Sequence, residues 1–337
     1  MSDPAQPAIA VPLPAGRRKA AVPVVRRLLI GVTVAFLTLF IVLPVANVFT
    51  QALYKGWTGY LSTFDASATG DGEPRSLADK RKATAKRAQV EKTWGAIRMS
   101  IGVAAIVVPL NVAFGLGAAW AVTKFRFRGR SLLLAFIDLP FSVSPVVVGL
   151  MFVLLLGRNG LFVATDLNWP DPFSLSWMGW DAAGGPLGFA RWNQGVIFTP
   201  LATVLASLFV TFPFVARAVI PLMEVQGSEE ELAALSLGAR GWRVFRRITL
   251  PNIRWALLYG VILCTARTFG EFGAVSVVSG NVDGNDTMPL RIEKLWNEYD
   301  NQAAFALSSL LALLAVVTLV FKVVLDRAAA GKREGRS

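Results

Sequence analysis

The sequence predicts an all-α membrane protein with one six-span domain, from its composition and the length of its apolar runs. Hydrophobic residues make up 54% of the 337 residues and charged residues 17%, and the mean hydropathy is +0.52. These values are typical of multi-span membrane proteins rather than soluble domains. Crossing a bilayer needs roughly 20 apolar residues in a helix. Runs of this kind lie near 28–50, 96–122, 132–156, 196–222, 252–280 and 303–325.

The absence of several chemical groups argues against an enzyme. The chain contains no histidine, and Cys264 is its single cysteine, which excludes a histidine general base, a Cys/His zinc site and an intrachain disulfide. No G-x-x-x-x-G-K-[ST] phosphate loop is present, so the chain is not expected to hydrolyse ATP. We therefore predict no catalytic residue, no metal site, no cofactor and no nucleic-acid partner. Cys264 is interpreted as a small apolar packing residue.

The first span, near 28–50, follows a tail of residues 1–27 that is rich in proline and basic residues. A cleaved signal peptide is one interpretation. The apolar run exceeds the usual signal length and lacks an A-x-A site, which favours an uncleaved anchor. Other basic clusters lie at 124–130, at 240–254 and from Lys322 to the end. The positive-inside rule then places both termini in the cytoplasm, with a membrane domain over 28–327 and a basic tail over 328–337.

The loop at 51–93 departs from that rule, because it carries many basic residues on the predicted periplasmic side. Its run "DKRKATAKRAQVEK" begins at Asp79 and has few large apolar residues. We interpret the loop as a solvated periplasmic insertion that is partly helical or disordered. A patch that binds phosphate or lipid is the alternative.

A polar stretch interrupts the apolar second half at "SEEELAALSLGARGWRVFRRITLPNI". Ser228 followed by Glu231 matches a capping box, and Gly238 suits a left-handed helix end, so we predict a short helix over 229–237. A second short segment should follow, with Trp242 and Phe245 on one face. Pro251 fits the first turn of the next span. The product is a cytoplasmic helix-bend-helix over 228–250.

The spacing within this stretch resembles the loop that marks permease subunits of ABC importers. Two alanines, three residues, a glycine, nine residues, an isoleucine, one residue and Leu-Pro follow the family pattern, while Leu232 occupies the position of the family's glutamate. The residues of this coupling loop are Glu231, Leu232, Ala233, Ala234, Gly238, Ile248, Leu250 and Pro251. The resemblance implies that the helix docks into a groove on a separate P-loop ATPase, which would hold the ATP and Mg²⁺.

Three further segments resemble the permease subunits of sulfate/thiosulfate importers, in particular the second, W-type one. They are "LLLAFIDLPFSVSPVVVGL", "LPNIRWALLYGV" and "ARTFGEFGAVSVVSG". Molybdate permeases carry a similar Gly-Glu-Phe-Gly-Ala segment, so another oxyanion stays open. The resemblance implies a six-helix type I ABC importer domain in a bacterial inner membrane. Its implied partners are a homologous permease, ATPase subunits, a periplasmic sulfate-binding protein and membrane lipid.

Two charged residues near the end of the fifth span are candidates for an anion path. A charge in a span costs at least about 2.5 kcal/mol on insertion scales, so it should face a partner or water. Arg267 and Glu271 lie one helical turn apart. The guanidinium suits an oxyanion, with Glu271 as its holder or as part of a gate. An ion pair that only locks the helix explains the same spacing equally well.

Asp138 and Arg217 lie at similar depth in the third and fourth spans, roughly 9 to 10 Å from the cytoplasmic end. We predict that they form a structural ion pair or that each meets a partner subunit. Ser142 and Ser144 either line an anion path or satisfy backbone groups freed by Pro145, and the second role is favoured.

Two other classes of protein fit part of this pattern. A secondary anion transporter would also be an apolar helix bundle, but it needs no docking loop and often shows internal repeats. A membrane-embedded enzyme would need a cluster of catalytic groups. The resemblance therefore implies a non-catalytic permease subunit that moves sulfate or thiosulfate by ATP-driven alternating access.

Overall fold

The computed structural model describes residues 23–65, 76–157, 197–282 and 284–334, and in these ranges the chain is helical and contains no β-strand. The chain divides into two compact units, Met1–Asn47 and Val48–Ser337. Most of the predicted N-terminal tail, part of the 51–93 insertion and the last three residues of the predicted C-terminal tail lie outside the described residues.

The first unit holds most of one apolar helical run. Helix α1 covers Pro23–Leu37, a π-helical turn covers Thr38–Val42, and α2 covers Leu43–Ala52. The side chains from residue 25 to 47 are all exposed. Since Val25–Ala52 is 28 residues long, it is long enough to cross a membrane.

Four more helical stretches are long and apolar enough to span: Leu77–Lys124, Pro200–Gln226, Gly241–Phe269 and Asn301–Val324. The predicted third span over 132–156 is different, because it consists of α5 (Arg130–Ser142) and α6 (Pro145–Leu156), bent by 109°. The span is therefore interrupted by a sharp break at Pro145. Pro145 begins α6 and holds Ser144 in an extended conformation, with ψ 135°. The described chain thus has five spans, or six if the bent pair is counted as one.

The helix that contains the predicted second span extends well beyond that span at its N-terminal end. Helix α3 (Gly56–Leu61) is followed by α4, which covers Leu77–Lys124 and has 48 residues. A capping box formed by Ser76 and Asp79 starts α4. Residues 77–93 of the insertion are therefore helical and continuous with the membrane span.

The core of the second unit forms where α4, α7 (Pro200–Gln226) and α10 (Leu250–Phe269) pack together. Cys264 is fully buried there, as predicted, and accepts a hydrogen bond from Asn111 Nδ2 at 3.5 Å. The predicted fifth span over 252–280 ends early, because the helix stops at Phe269 and a short helix, α11 (Gly273–Val278), follows.

Helices α12 (Met288–Asn297) and α13 (Asn301–Glu334) follow α11 and pack against each other. Buried Ile97 of α4, Leu295 of α12 and Leu307 of α13 share one cluster. The part of α4 around Ile97 is thereby packed against α12 and the first turns of α13.

Candidate functional site

The predicted short helix of the 228–250 loop is present as α8, which covers Glu229–Ser236. Glycines in the positive-φ region stand on both sides, Gly227 at 66° and Gly238 at 84°, where other residues would be strained. The predicted capping box is wrong, since the side chain of Ser228 makes no cap hydrogen bond. The carboxylate of Glu231 has other partners.

Glu231 lies at the centre of a tether between α8 and two membrane helices. Its Oε2 is 3.0 Å from Lys124 Nζ at the end of α4, and its Oε1 accepts a hydrogen bond from Thr249 Oγ1 at 2.7 Å. Lys124 Nζ also donates to the Gly227 carbonyl at 2.5 Å. The Lys124 and Glu231 side chains are only 10% and 16% exposed. We call Lys124, Glu231 and Thr249 the α8 tether.

A second link lies beside the α8 tether. Asn252, in the first turn of α10, donates from Nδ2 to Glu230 Oε2 at 2.7 Å. Its carbonyl accepts from Gln226 Nε2, at the end of α7, at 3.2 Å. The acidic end of α8 is therefore fixed to the ends of α4, α7 and α10.

The segment after α8 joins the fifth span without interruption. Helix α9 (Gly241–Val244) leads through a π-helical turn (Phe245–Thr249) into α10, and the stretch Gly241–Phe269 has 29 residues. The expectation of a separate short segment is corrected accordingly. Pro251 lies in the first turn of α10, as predicted. Phe245 stacks between Trp242 and Trp120 of α4, with ring centroids 5.4 and 5.1 Å apart.

Large apolar side chains are exposed on α8 and beside it. Leu232, Leu235, Leu237 and Trp242 are 60%, 47%, 88% and 70% exposed. We call these four residues the α8 surface. Among the other residues predicted for the loop, Ala233, Gly238 and Pro251 are exposed, and Ala234, Ile248 and Leu250 are half-buried. No residue of α8 is buried, so the helix offers its apolar side chains outward.

Asp138 and Arg217 form an ion pair between α5 and α7. Asp138 Oδ1 is 2.6 Å from Arg217 Nη2 and accepts from Nε at 2.7 Å. The guanidinium also lies over the Phe141 ring, 5.1 Å from its centroid. About half of each side chain, 54% for arginine and 44% for aspartate, is exposed on the isolated chain. The two charges neutralise each other, but both side chains remain about half exposed.

Arg267 and Glu271 also form an ion pair, with Nη2 and Oε2 2.9 Å apart. They do not share one helix, because α10 ends at Phe269. Glu271 is 1% exposed, and its Oε1 accepts from the Ala274 backbone N–H of α11 at 3.0 Å. Arg267 is 37% exposed. The buried carboxylate thus holds a half-exposed guanidinium at the break between α10 and α11.

The breaks in the third and fifth spans lie against each other. A Cβ on Gly273 would be 3.0 Å from Pro145 Cβ, and one on Gly149 would be 2.8 Å from the Ala274 carbonyl oxygen. Ser142 and Ser144, on the first break, are both exposed. Ser142 Oγ donates to the Asp138 carbonyl at 3.4 Å, whereas Ser144 makes no side-chain cap hydrogen bond. Polar side chains therefore collect where two interrupted helices meet.

Sequence reasoning missed several members of this arrangement. Lys124, Thr249 and Asn252 were not predicted as site residues, although Lys124 had been placed in a basic loop. Their roles depend on contacts between α4, α8 and α10, which no local spacing encodes. In the described part of the chain, no group of three or more Cys, Asp and Glu residues could hold a metal ion.

Comparisons with known proteins agree on one family. Residues 111–331 match the family described as "binding-protein-dependent transport system inner membrane component". The chain is 43% identical to the sulfate transport system permease protein CysW of Synechocystis over 305 residues, 90% of this chain and 93% of the relative. It is 40% identical to CysW of Escherichia coli K12 over 301 residues, 88% and 87% of the two chains. A solved bacterial alginate ABC transporter, in complex with an alginate-bound periplasmic protein, matches with a TM-score of 0.61 at 16% identity, over 90% of this chain and 93% of that one.

Proposed function

Because the chain belongs to the family of inner membrane components of binding-protein-dependent transport systems, we propose that it is the W-type permease subunit of an ATP-driven sulfate importer. The observation that supports sulfate as the substrate is the 43% identity to a sulfate permease over 90% of the chain. The importer would move sulfate or thiosulfate across the inner membrane without covalent chemistry on this chain. Its ATP and Mg²⁺ would be bound by a partner ATPase.

The α8 surface is the proposed docking site for that ATPase. Its four large apolar side chains are 47% to 88% exposed, and the burial of such side chains against a partner gives about 25 cal/mol per Å². Leu232 stands where the family has glutamate, so this position would contribute apolar contact instead of charge. Glu231, one residue earlier, is already engaged within this chain by Lys124 at 3.0 Å.

Movement of the ATPase would reach the membrane through the α8 tether. Lys124 ends α4 and Thr249 immediately precedes α10, and both bind Glu231 of α8. The 29 residues from Gly241 to Phe269 form one helical stretch, about 40 Å long at 1.5 Å per residue. A displacement at α8 would therefore be carried to the break at the far end of α10.

That break is the proposed anion path. The carboxylate of Glu271 is neutralised by Arg267 at 2.9 Å and by the Ala274 N–H at 3.0 Å, so it would repel an oxyanion less than a free carboxylate does. Arg267 stays 37% exposed and has a fork of five donors. We propose Arg267 as a path residue and Glu271 as its holder, with Ser142 and Ser144 on the neighbouring break as secondary candidates.

We propose two further partners, a second permease subunit and a periplasmic binding protein. A second, homologous permease would cover the half-exposed Asp138–Arg217 pair, since a charged pair facing lipid is costly. A periplasmic sulfate-binding protein would deliver the anion, in keeping with the alginate transporter in its complex with a periplasmic protein. By the positive-inside rule, the basic 240–254 segment supports a cytoplasmic location for α8, and both termini would then lie on the same side.

The test is to tag the C-terminus, purify the chain in mild detergent from its host, and identify its partners by mass spectrometry. We expect a P-loop ATPase and a second related permease. ATP hydrolysis by the reconstituted complex should rise with the binding protein loaded with sulfate or thiosulfate.

Two results would redirect the assignment. Stimulation of ATP hydrolysis by molybdate but not by sulfate would support the ABC importer assignment and identify molybdate as the transported anion. A chain that purifies alone and moves anions in liposomes without ATP would contradict the ABC importer proposal, and would identify a secondary transporter instead.

A further inference from the structure

Helix α4 is far longer than a membrane span requires. It has 48 residues, about 72 Å at 1.5 Å per residue. Its charge-free part, from Met99 to Thr123, has 25 residues and is about 37 Å long, which already exceeds the roughly 30 Å of a hydrocarbon core. Since Lys124 lies at the α8 end, the N-terminal part of α4 projects from the membrane on the opposite side.

The projecting part is strongly basic, and we call its residues 77–89 the α4 arm. Its exposed basic side chains are Lys80, Arg81, Lys82 and Arg87. They lie about 56 to 66 Å of helix from Lys124, whereas a bilayer with its headgroups is about 40 to 45 Å thick. An average helix tilt of about 20° shortens these lengths by only about 6%. All four cationic groups therefore lie in the aqueous space beyond the headgroups.

The α4 arm is an ordered helix that is fixed at both of its ends. At the first turn, the Asp79 N–H donates to Ser76 Oγ at 3.1 Å, and the Ser76 N–H donates to Asp79 Oδ2 at 3.1 Å. At the last turn, Gln89 Nε2 donates to Asp300 Oδ2 at 2.5 Å, beside the start of α13. The exposed cations are therefore presented from a positioned surface.

The positive charge of the α4 arm is not neutralised by the described part of the chain. The four exposed cations take part in none of the ion pairs between described residues. The one acid of the arm, Asp79, is engaged by Ser76 at the helix cap. A protruding surface with one sign of charge attracts a partner of the opposite sign and raises its association rate.

We propose that the α4 arm docks an acidic surface of the periplasmic binding protein. The inference rests on the importer function proposed above and adds the surface and the charge of this contact. In the proposed orientation, the arm stands in the periplasm, where that protein approaches. A bacterial alginate transporter has been solved in complex with its periplasmic protein. The distance from Lys124 favours a protein partner over lipid headgroups, because the cations lie beyond the bilayer.

The arm and the α8 tether lie at the two ends of the same helix. Lys124, the last residue of α4, is 3.0 Å from Glu231 of α8. Binding at the arm therefore acts on the helix that also holds the proposed ATPase-docking element. Loss of the arm's charge should change how the binding protein stimulates ATP hydrolysis, and it should leave the unstimulated rate as it is.

The test uses the full transporter complex in nanodiscs and titrates the binding protein, loaded with sulfate, against ATP hydrolysis. One variant replaces all four exposed cations of the α4 arm by glutamine. An exposed ion pair changes an equilibrium constant by about twofold, so the half-saturating concentration of binding protein should rise about tenfold at low salt. The difference should largely vanish near 1 M salt, where the screening length is about 3 Å.

Two controls separate charge from other effects of substitution. Exchanging lysine for arginine, and arginine for lysine, at the same four positions keeps the charge and should preserve the half-saturating concentration. Arg126→Gln with Arg128→Gln removes two exposed charges beyond the other end of α4 and should also leave it unchanged. Lys80→Gln with Arg87→Gln, which removes the same number of charges from the arm, should raise it about fourfold. Equal effects of these two double variants, or a salt-independent effect, would overturn the proposal.

A cross-linking experiment on the unaltered complex identifies the occupant of the arm directly. A zero-length carbodiimide reagent should join Lys80 or Lys82 to aspartate or glutamate side chains of the binding protein, as mapped by mass spectrometry. Links only to Asp71 or Glu73, which precede the arm in this chain, would overturn the proposal in favour of an intrachain contact.

Failure of the arm and failure of the importer assignment give different results. Normal stimulation of the unaltered complex, with no change in the arm variants, would overturn the docking role of the arm alone. If the loaded binding protein does not stimulate the unaltered complex at all, the proposed importer function fails, and the inference about the arm fails with it.

Discussion

Replacing Glu231 by alanine should weaken the binding of the ATPase, although Glu231 itself is not part of the exposed α8 surface. The substitution removes an ion pair to Lys124 at 3.0 Å and a hydrogen bond from Thr249 at 2.7 Å. Hydrogen bonds to charged groups contribute roughly 1.5 to 3 kcal/mol each. Part of the stabilisation of α8 against α4 remains, because Lys124 keeps its bond to the Gly227 carbonyl. The substitution should therefore lower the free energy that holds α8 in its observed position by about 2 kcal/mol.

A loss of about 2 kcal/mol corresponds to a factor of roughly 30 in an equilibrium constant. If α8 must be ordered before it docks, the apparent dissociation constant rises by up to this factor. The assay titrates the ATPase subunit onto the permease pair in nanodiscs and records the half-saturating concentration for ATP hydrolysis. Glu231→Gln keeps an acceptor for Thr249 but loses the ion pair, so its effect should be intermediate.

Glu229→Ala is the matched control for this experiment. Glu229 is exposed in the same first turn of α8 and has the same charge, but no hydrogen bond or ion pair joins it to another described residue. Both substitutions therefore weaken the interaction with the helix dipole equally. If Glu229→Ala raises the half-saturating concentration as much as Glu231→Ala, the α8 tether has no part in docking and the reasoning fails.

Three further predictions follow from the membrane charges and the helix breaks. Asp138→Arg and Arg217→Asp should each lower the yield of folded complex, and the double swap should restore it; a double variant no better than either single one would refute direct pairing. Arg267→Lys should reduce sulfate uptake and sulfate-stimulated ATP hydrolysis about tenfold or more, because one ammonium replaces a fork of donors, and normal values would exclude Arg267 from the path. Gly149→Ala should destabilise the chain by about 1 to 3 kcal/mol, since its Cβ would lie 2.8 Å from a carbonyl oxygen of α11; an unchanged unfolding temperature would contradict the close packing of the two breaks.

The spans and the short helix of the loop could be predicted because their signals are local. Apolar run length locates the spans, and the glycine at 238 marks the end of α8, where φ is 84°. The pairing of Asp138 with Arg217 could also be anticipated, since two neighbouring antiparallel spans place residues at equal distances from one membrane face side by side. These inferences need only the geometry of regular helices.

The direction of each break could not be predicted in the same way. Pro145 signals an interruption, but the 109° bend between α5 and α6 depends on where α6 packs. That packing requires Gly149 against Ala274 and Gly273 against Pro145, which are contacts between segments far apart in sequence. Likewise, Ser228 and Glu231 match a capping box locally, whereas Lys124 competes for the carboxylate from another helix.

The two candidate roles of the Arg267–Glu271 pair, lock and path, are linked by the structure around it. Lys124 and Thr249 tie α8 to α4 and to the start of α10, so a push on α8 moves the ends of both helices together. The helix through α10 is continuous only as far as Phe269, and beyond it Glu271 holds Arg267 on one side and the α11 backbone on the other. In the proposed mechanism, the pair is the joint at which a displaced α10 meets α11. A displacement of α10 would shift the exposed guanidinium of Arg267 relative to α6, and it would thereby couple the proposed anion-binding residue to the state of the partner ATPase.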